Sequence, residues 1–307
     1  MRIAWLALGM LAAIMNGPAT SEARGTGPDS SIEEGTGQFP AVFEEDPTLP
    51  AHVVYRPRDL HALGSEKLPV YVWGNGGCSA DGTSSRNHLL EIASHGYLVI
   101  AAGSIPADKP APAAPPQQPR QLSAATPTSA LLEAVDWAIR ENQRPGSHYA
   151  GRIAVDRIAV SGWSCGGLQA LNVAGDPRVK TAVIMNSGFF PANSSPIAGV
   201  ESDKATLAKL HTPVLYILGG ATDIAYQNGM DDYRRIAGVP AAVINIAVGH
   251  GGTYSEPHGG LAAQIVVNWL DWQLKGVGAA GLRFAGPGCG YCGDPRVTIE
   301  RKGLDKP

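Results

Sequence analysis

The stretch Ile158-Ala159-Val160-Ser161-Gly162-Trp163-Ser164-Cys165-Gly166-Gly167-Leu168 does most to limit what this chain can fold into. A β-branched apolar run ends in Gly-Trp-Ser-Cys-Gly, and Leu168-Gln169-Ala170-Leu171 then starts a helix. A serine at so tight a strand-to-helix turn is held in a strained backbone conformation. Glycines flank it because a Cβ there would strike the neighbouring strand or helix. The expected result is a Ser164 hydroxyl standing above a sheet, with the Cys165 N–H at the helix N-terminus facing any negative charge that develops beside it. The pattern also arises by chance in Gly-rich chains, and this one has 38 glycines. The surrounding sequence has to decide.

Strand-like and helix-like segments alternate along most of the chain. Residues 52–57 read as an antiparallel edge strand ended by a proline. A polar loop over 58–67 leads to buried strands at 68–73 and 97–102, with a helix over 87–95 between them that Gly96 stops. A Pro- and Ala-rich loop of polyproline character covers 104–126. Thr126-Pro127 then opens a helix with Leu131, Val135, Ala138 and Ile139 on one face. Strands follow at 153–160, 182–185, 212–218 and 241–246, the last taken as the final strand. A closing helix over 260–275 carries Leu261, Ile265, Trp269 and Trp272 on one stripe. This alternation predicts an α/β fold with one doubly wound, mostly parallel sheet. The stretch between Asn186 and His211 is too short for a cap domain.

Charge and composition narrow the partners. With 44% hydrophobic and 17% charged residues the chain can bury a core. A net charge of −3 and a pI near 6.2 give no electrostatic case for nucleic acid or an anionic membrane. A small, neutral partner fits better. Met1-Arg2, an apolar run to Met15 and the small-residue exit Gly17-Pro18-Ala19 have the parts of a secretory signal peptide, over residues 1–23. Cleavage after Ala19 or Ala23 fits, and the run is short for a stable membrane span, although an uncleaved anchor is the alternative. A Gly-, Ser- and acid-rich leader (24–46), a catalytic domain (47–285) and a tail with Cys-x-x-Cys (286–307) would follow. Export would make the four cysteines potential disulfide partners.

Ser164 needs a base and an orienting acid, which in sheets of this kind follow the serine in the order acid, then histidine. Asp223 stands just past the strand over 212–218 and is the expected acid. Asp231 and Asp232 read as solvated positions on the next helix. His250, in Val248-Gly249-His250-Gly251-Gly252, follows the strand over 241–246 and is the expected base. His258 is the competitor, and His88, His95 and His148 read as structural. A second oxyanion donor is expected from Gly74-Asn75-Gly76-Gly77-Cys78, through the Cys78 N–H. That loop lacks the Gly-Lys-Ser/Thr ending of a phosphate loop, and no dinucleotide fingerprint is present. Trp163, Phe189, Phe190 and Tyr254 are candidates for an apolar substrate pocket, each equally readable as core packing.

On these residues the chain resembles the α/β-hydrolases of the bacterial cutinase and polyester hydrolase type, near the dienelactone hydrolase-like enzymes. The matching stretches are Gly77-Cys78, Ala93-Ser94-His95-Gly96-Tyr97, Gly162-Trp163-Ser164-Cys165-Gly166-Gly167, Asp223 and His250, in the family's order. The resemblance implies an α/β-hydrolase fold, a Ser164–His250–Asp223 triad, oxyanion donors at Cys78 and Cys165, no cofactor and no metal. It departs at those two cysteines, where polyester hydrolases carry larger residues. It departs again at Gly188-Phe189-Phe190, which stands where they place a tryptophan, so polymer degradation does not carry over. The function implied is an exported serine carboxylesterase acting on a neutral ester through an acyl-enzyme. A peptidase of the same fold, a lipase and a non-catalytic binding protein are the alternatives.

In that family both oxyanion positions line the cleft floor, which would put the Cys78 and Cys165 side chains on the same side. Two donors converging on one oxygen also bring their Cα atoms into disulfide range. The pair is then either bridged or two reduced, half-buried thiols that widen the pocket. Cys289-Gly290-Tyr291-Cys292 is expected as a local disulfide. A zinc half-site has no second pair to complete it, and a redox pair lacks its strand-to-helix setting.

Overall fold

The computed structural model describes residues 34–107, 122–192, 194 and 197–306. The expected signal peptide, the start of the leader and residues 108–121 of the Pro-rich loop lie outside the described residues. In chain order the strands are β1 (Ala41–Glu44), β2 (His52–Pro57), β3 (Leu68–Gly74), β4 (Leu98–Ala102), β5 (Leu122–Ser123), β6 (Ile153–Trp163), β7 (Val179–Met185), β8 (Ile197–Ala198), β9 (Val214–Leu218), β10 (Ala241–Ile246) and β11 (Val297–Lys302). The helices are α1 (Arg86–Ser94), α2 (Ser129–Gln143), α3 (Cys165–Val173), α4 (Tyr226–Arg235), α5 (Gly260–Lys275) and the single turn α6 (Gly278–Gly281).

Nine strands form one sheet in the order β1-β2-β4-β3-β6-β7-β9-β10-β11, while β5 and β8 make a separate two-residue ladder. From β4 to β10 every neighbouring pair is parallel, and β1, β2 and β11 are antiparallel additions at the two sides. The central strands are buried on both faces, so their side chains alternate between two cores. Val70, Val72, Ile158 and Val160 join α2, α3 and α4, whereas Tyr71, Trp73 and Ala159 join α1 and α5. Period-2 alternation between two apolar faces leaves no polar position, which is why these strands read as continuous apolar runs.

Chain order reverses between β3 and β6. β3 leads to β4 on one side, and β6 then pairs on its other side, with Gly74 opposite Gly162. In open α/β sheets the crevice beyond the carboxyl ends of strands at such a reversal is where ligands bind.

Three expectations are corrected. The leader does not run to residue 46, because Ala41–Glu44 pairs with β2 and Phe43 lies against the Tyr55 ring at 5.4 Å. Residues 241–246 are not the final strand, because β11, from the tail, pairs antiparallel with all of β10. Its sequence, Val-Thr-Ile-Glu-Arg-Lys, hides the strand because an edge strand shows one face to water. Lys302 Nζ caps the end of α4 by donating to the Tyr233 (2.5 Å) and Ile236 carbonyls. Finally, residues 52–57 are not an edge strand, because β2 pairs with β1 on one side and with β4 on the other. Expected to be structural, His88 is fully buried on α1 among the aromatic rings of Tyr71, Trp73 and Tyr254, and both ring nitrogens are without a partner among the described residues.

Burial holds the His88 pKa down at about 3, with Glu91 opposing weakly. A base whose folded pKa lies below its free value is stabilising when neutral, so its contribution is complete above about 6.5 and is lost as pH falls toward 3. His88→Phe should remove this dependence. Between pH 7 and pH 4 the wild type should lose about 2–3 kcal/mol more unfolding free energy than the variant, measured by urea titration.

Candidate active site

β6 ends at Trp163 and α3 begins at Cys165, leaving Ser164 alone at the turn with φ 55° and ψ −117°. The Ser164 N–H donates to Met185 O at the end of β7 (2.9 Å). A positive φ at a non-glycine residue costs energy and persists only where the surroundings fix it. Here the fixing is steric. A Cβ at Gly166 would overlap the Gly74 carbonyl, and one at Gly162 would overlap the Gly166 carbonyl. The elbow and the β3 loop therefore meet backbone to backbone.

The loops after β9 and β10 bring the other two side chains in. His250 Nε2 lies 2.9 Å from Ser164 Oγ, and His250 Nδ1 lies 2.6 Å from Asp223 Oδ1. A carboxylate only accepts, so Nδ1 carries the proton and Nε2 presents its lone pair to the serine hydroxyl. Asp223 Oδ1 also accepts from the Ala225 N–H (2.9 Å). Its Oδ2 accepts from the Gly219 N–H (2.9 Å) and from Asn186 Nδ2 (2.8 Å). Burial pushes the Asp223 pKa up, but the hydrogen bonds from His250, Ala225, Gly219 and Asn186 outweigh it and hold the carboxyl below its usual range. The acid is thus ionised and fixed. The imidazole is held at its backbone too, where Trp163 Nε1 donates to His250 O (2.9 Å).

Asn186 is the residue that sequence reasoning missed. It follows β7 with φ 44°, is buried and uses its whole amide. Nδ2 donates to Asp223 and to Gly249 O (3.2 Å), and Oδ1 accepts from the Tyr254 hydroxyl. One side chain thereby ties the acid to the loop that carries the histidine. Its only signal in the sequence is an asparagine directly after an apolar parallel strand, on the edge of the sheet where sites gather.

Cys78 and Cys165 are bridged, with Cα atoms 5.2 Å apart, and so are Cys289 and Cys292, at 5.1 Å. The reading of Cys78 and Cys165 as reduced thiols is therefore set aside. The first bridge joins the β3 loop to the elbow, which the Gly166 N–H also binds through Asn75 O (3.0 Å). Cys165 opens α3, so its N–H is one of the first-turn donors with no partner inside the helix. The expectation for Cys78 needs correction, because its N–H already closes a turn onto Asn75 O (3.0 Å). It can serve an oxyanion only as a shared, three-centre donor.

A cavity of about 180 Å³ opens at Ser164 and His250. Leu168, Phe190, Ile197, Ile224 and Ala225 give it apolar walls, with Cys165, Gly188 and the polar Asn186, Ser187 and Asn228 completing it. Of the pocket candidates only Phe190 lines it. Phe189 is fully buried in the core. Tyr254 is buried with its hydroxyl on Asn186, and Trp163 packs beside Tyr254, ring centroids 5.1 Å apart. These three miss the wall because their polar or apolar bodies are used to support it.

The remaining alternatives fall elsewhere. His258 sits on a short turn with Nδ1 3.8 Å from Glu91 Oε2. Asp231 pairs at the surface with Lys204 (2.9 Å) and Arg235 (2.8 Å). Asp232 is not solvated as expected. It is buried, paired with Lys204 (2.6 Å), and accepts from the Phe189 N–H (2.7 Å). Burial raises its pKa to about 6 against the pull of Lys204. Among the described residues no group of three or more His, Cys, Asp or Glu side chains is placed to hold a metal ion, and no helix is long and apolar enough to cross a membrane.

No protein-family model matches the chain, and a search of curated proteins returns no match.

The Cys78–Cys165 bridge closes a sequence separation of 87 residues, and both residues are buried. The double variant Cys78→Ala/Cys165→Ala should lose about 2–5 kcal/mol of unfolding free energy in denaturant titration. Alkylation of the denatured, unreduced wild type should modify no cysteine of either pair.

Proposed function

We propose that the chain is an exported serine carboxylesterase of the α/β-hydrolase type, hydrolysing a neutral ester through an acyl-enzyme. The supporting observation is the unbroken hydrogen-bonded series Asp223–His250–Ser164, ending in a strained serine at the mouth of an apolar cavity. The sheet order, with the serine after β6, the acid after β9 and the histidine after β10, supports the fold assignment. The two bridges support an oxidising compartment.

In this reading His250 Nε2 takes the Ser164 proton as Oγ attacks the ester carbonyl. Asp223 stabilises the imidazolium that forms, and does not itself take the proton. The Cys165 N–H, with a share of the Cys78 N–H, faces the tetrahedral oxyanion. Collapse of that intermediate expels the alcohol, which receives its proton from His250. Water, activated by the same imidazole, then releases the acid and restores Ser164.

A fluorophosphonate probe should label the protein at Ser164, which a non-catalytic binding protein on this fold would not allow. Ser164→Ala should abolish labelling and lower kcat on a short-chain nitrophenyl ester by about 10⁴-fold or more. Its melting temperature should hardly move, because among the described residues the hydroxyl bonds only to His250. Retained turnover in this variant overturns the proposal.

A further inference from the structure

Polar side chains on the wall of an otherwise apolar cavity orient a ligand only if the protein has not already used them. Here nearly all are used. Ser164 and His250 bond to each other. Asn186 spends its amide on Asp223, Gly249 and Tyr254. The Ser187 hydroxyl donates to Ser164 O (2.7 Å). Asn228 is the exception, since its amide carries no hydrogen bond among the described residues while it lines the cavity.

Its placement is constrained by the backbone. A Cβ at Gly188 would overlap the backbone of Asn228 and Gly229, so α4 lies directly on the loop after β7. Asn228 thus shares the cavity lining with Phe190, Ile224 and Ala225. Asn186 donates directly to Asp223, and α4, which carries Asn228, starts at Tyr226, whose N–H donates to Asp223 O (3.0 Å).

We propose that Asn228 is the specificity-determining contact of this cavity. The matching substrates are esters in which the bound chain is apolar apart from one oxygen, as a ketone, hydroxyl or second ester carbonyl, spaced from the scissile bond. This rests on the esterase reading above. A wholly apolar chain would cover the Asn228 amide and strip its water without replacing it, which disfavours plain alkanoates. A charged chain would be stripped of water by apolar walls that offer no counter-charge.

Two matched pairs of esters test this, one with the oxygen on each side of the scissile bond: nitrophenyl pentanoate against nitrophenyl 4-oxopentanoate, and pentyl acetate against 4-oxopentyl acetate. Each ratio of kcat/KM is divided by the ratio for alkaline hydrolysis, which removes intrinsic reactivity. One pair should favour the oxo ester by about two- to tenfold, the range of one added hydrogen bond. In Asn228→Leu that preference should fall to unity or invert. Ratios of unity in both pairs for the wild type overturn the proposal, and so does a preference that survives in Asn228→Leu. Failure to turn over any of the four esters, together with no labelling by a fluorophosphonate, overturns the esterase reading itself.

Discussion

Everything at this site depends on how closely the ends of β3 and β6 approach. Gly74 and Gly162 face each other in register, and Gly166 follows so closely that no side chain fits between the turns. Contact of that kind is geometric before it is energetic. Once two backbones touch, the serine has one place to stand and the N-terminus of α3 one direction to point. The Asn75 carbonyl, which accepts from both Gly166 and Cys78, and the sulfur bridge above it hold the contact from two sides.

The acid side has its own backbone contact, since a Cβ at Gly219 would overlap the Gly249 carbonyl and so lock the loops of Asp223 and His250 together. Asp223 is then fixed within its loop by four donors supplied by His250, Ala225, Gly219 and Asn186. Saturating a buried carboxylate in this way offsets the cost of burying its charge. It also makes the geometry cooperative, because Asn186 and Tyr254 link the acid to the histidine loop. Asp232 is held in the same way, taking the Phe189 N–H and Lys204 together.

How much of this can be read in the sequence follows from where the information lies. The elbow and the central strands are legible because short-range sterics and two-sided burial write themselves into local composition, as glycines at fixed offsets and unbroken apolar runs. Asp223 and His250 are legible through chain order alone. β11 is not, since half of an edge strand's residues answer to water and its polar pattern resembles a loop, and β1 is not, since its four residues Ala-Val-Phe-Glu are too short a run to stand out between Gly-, Pro- and acid-rich neighbours. Asn186 and Asp232 are illegible for another reason. Their roles are set by partners 37 and 43 residues away, and no local pattern records a buried polar contact across such a span. The aromatic residues mislead in the same way, because Phe189 and Tyr254 look like pocket walls and in fact support them.

The two sides of the sheet are completed at different times in the life of a chain made from its N-terminus. β1 closes onto β2 within residues 41–57, so one side is covered almost at once. The β10 side stays open until residues 297–302 arrive. During that interval β10, which leads into the histidine loop, shows a row of unpaired amides and carbonyls, the usual template for strand-to-strand association between molecules. The aggregation hazard of this protein is thus concentrated late in synthesis and on one identifiable edge, and the alternating polar residues of β11 are what retire it.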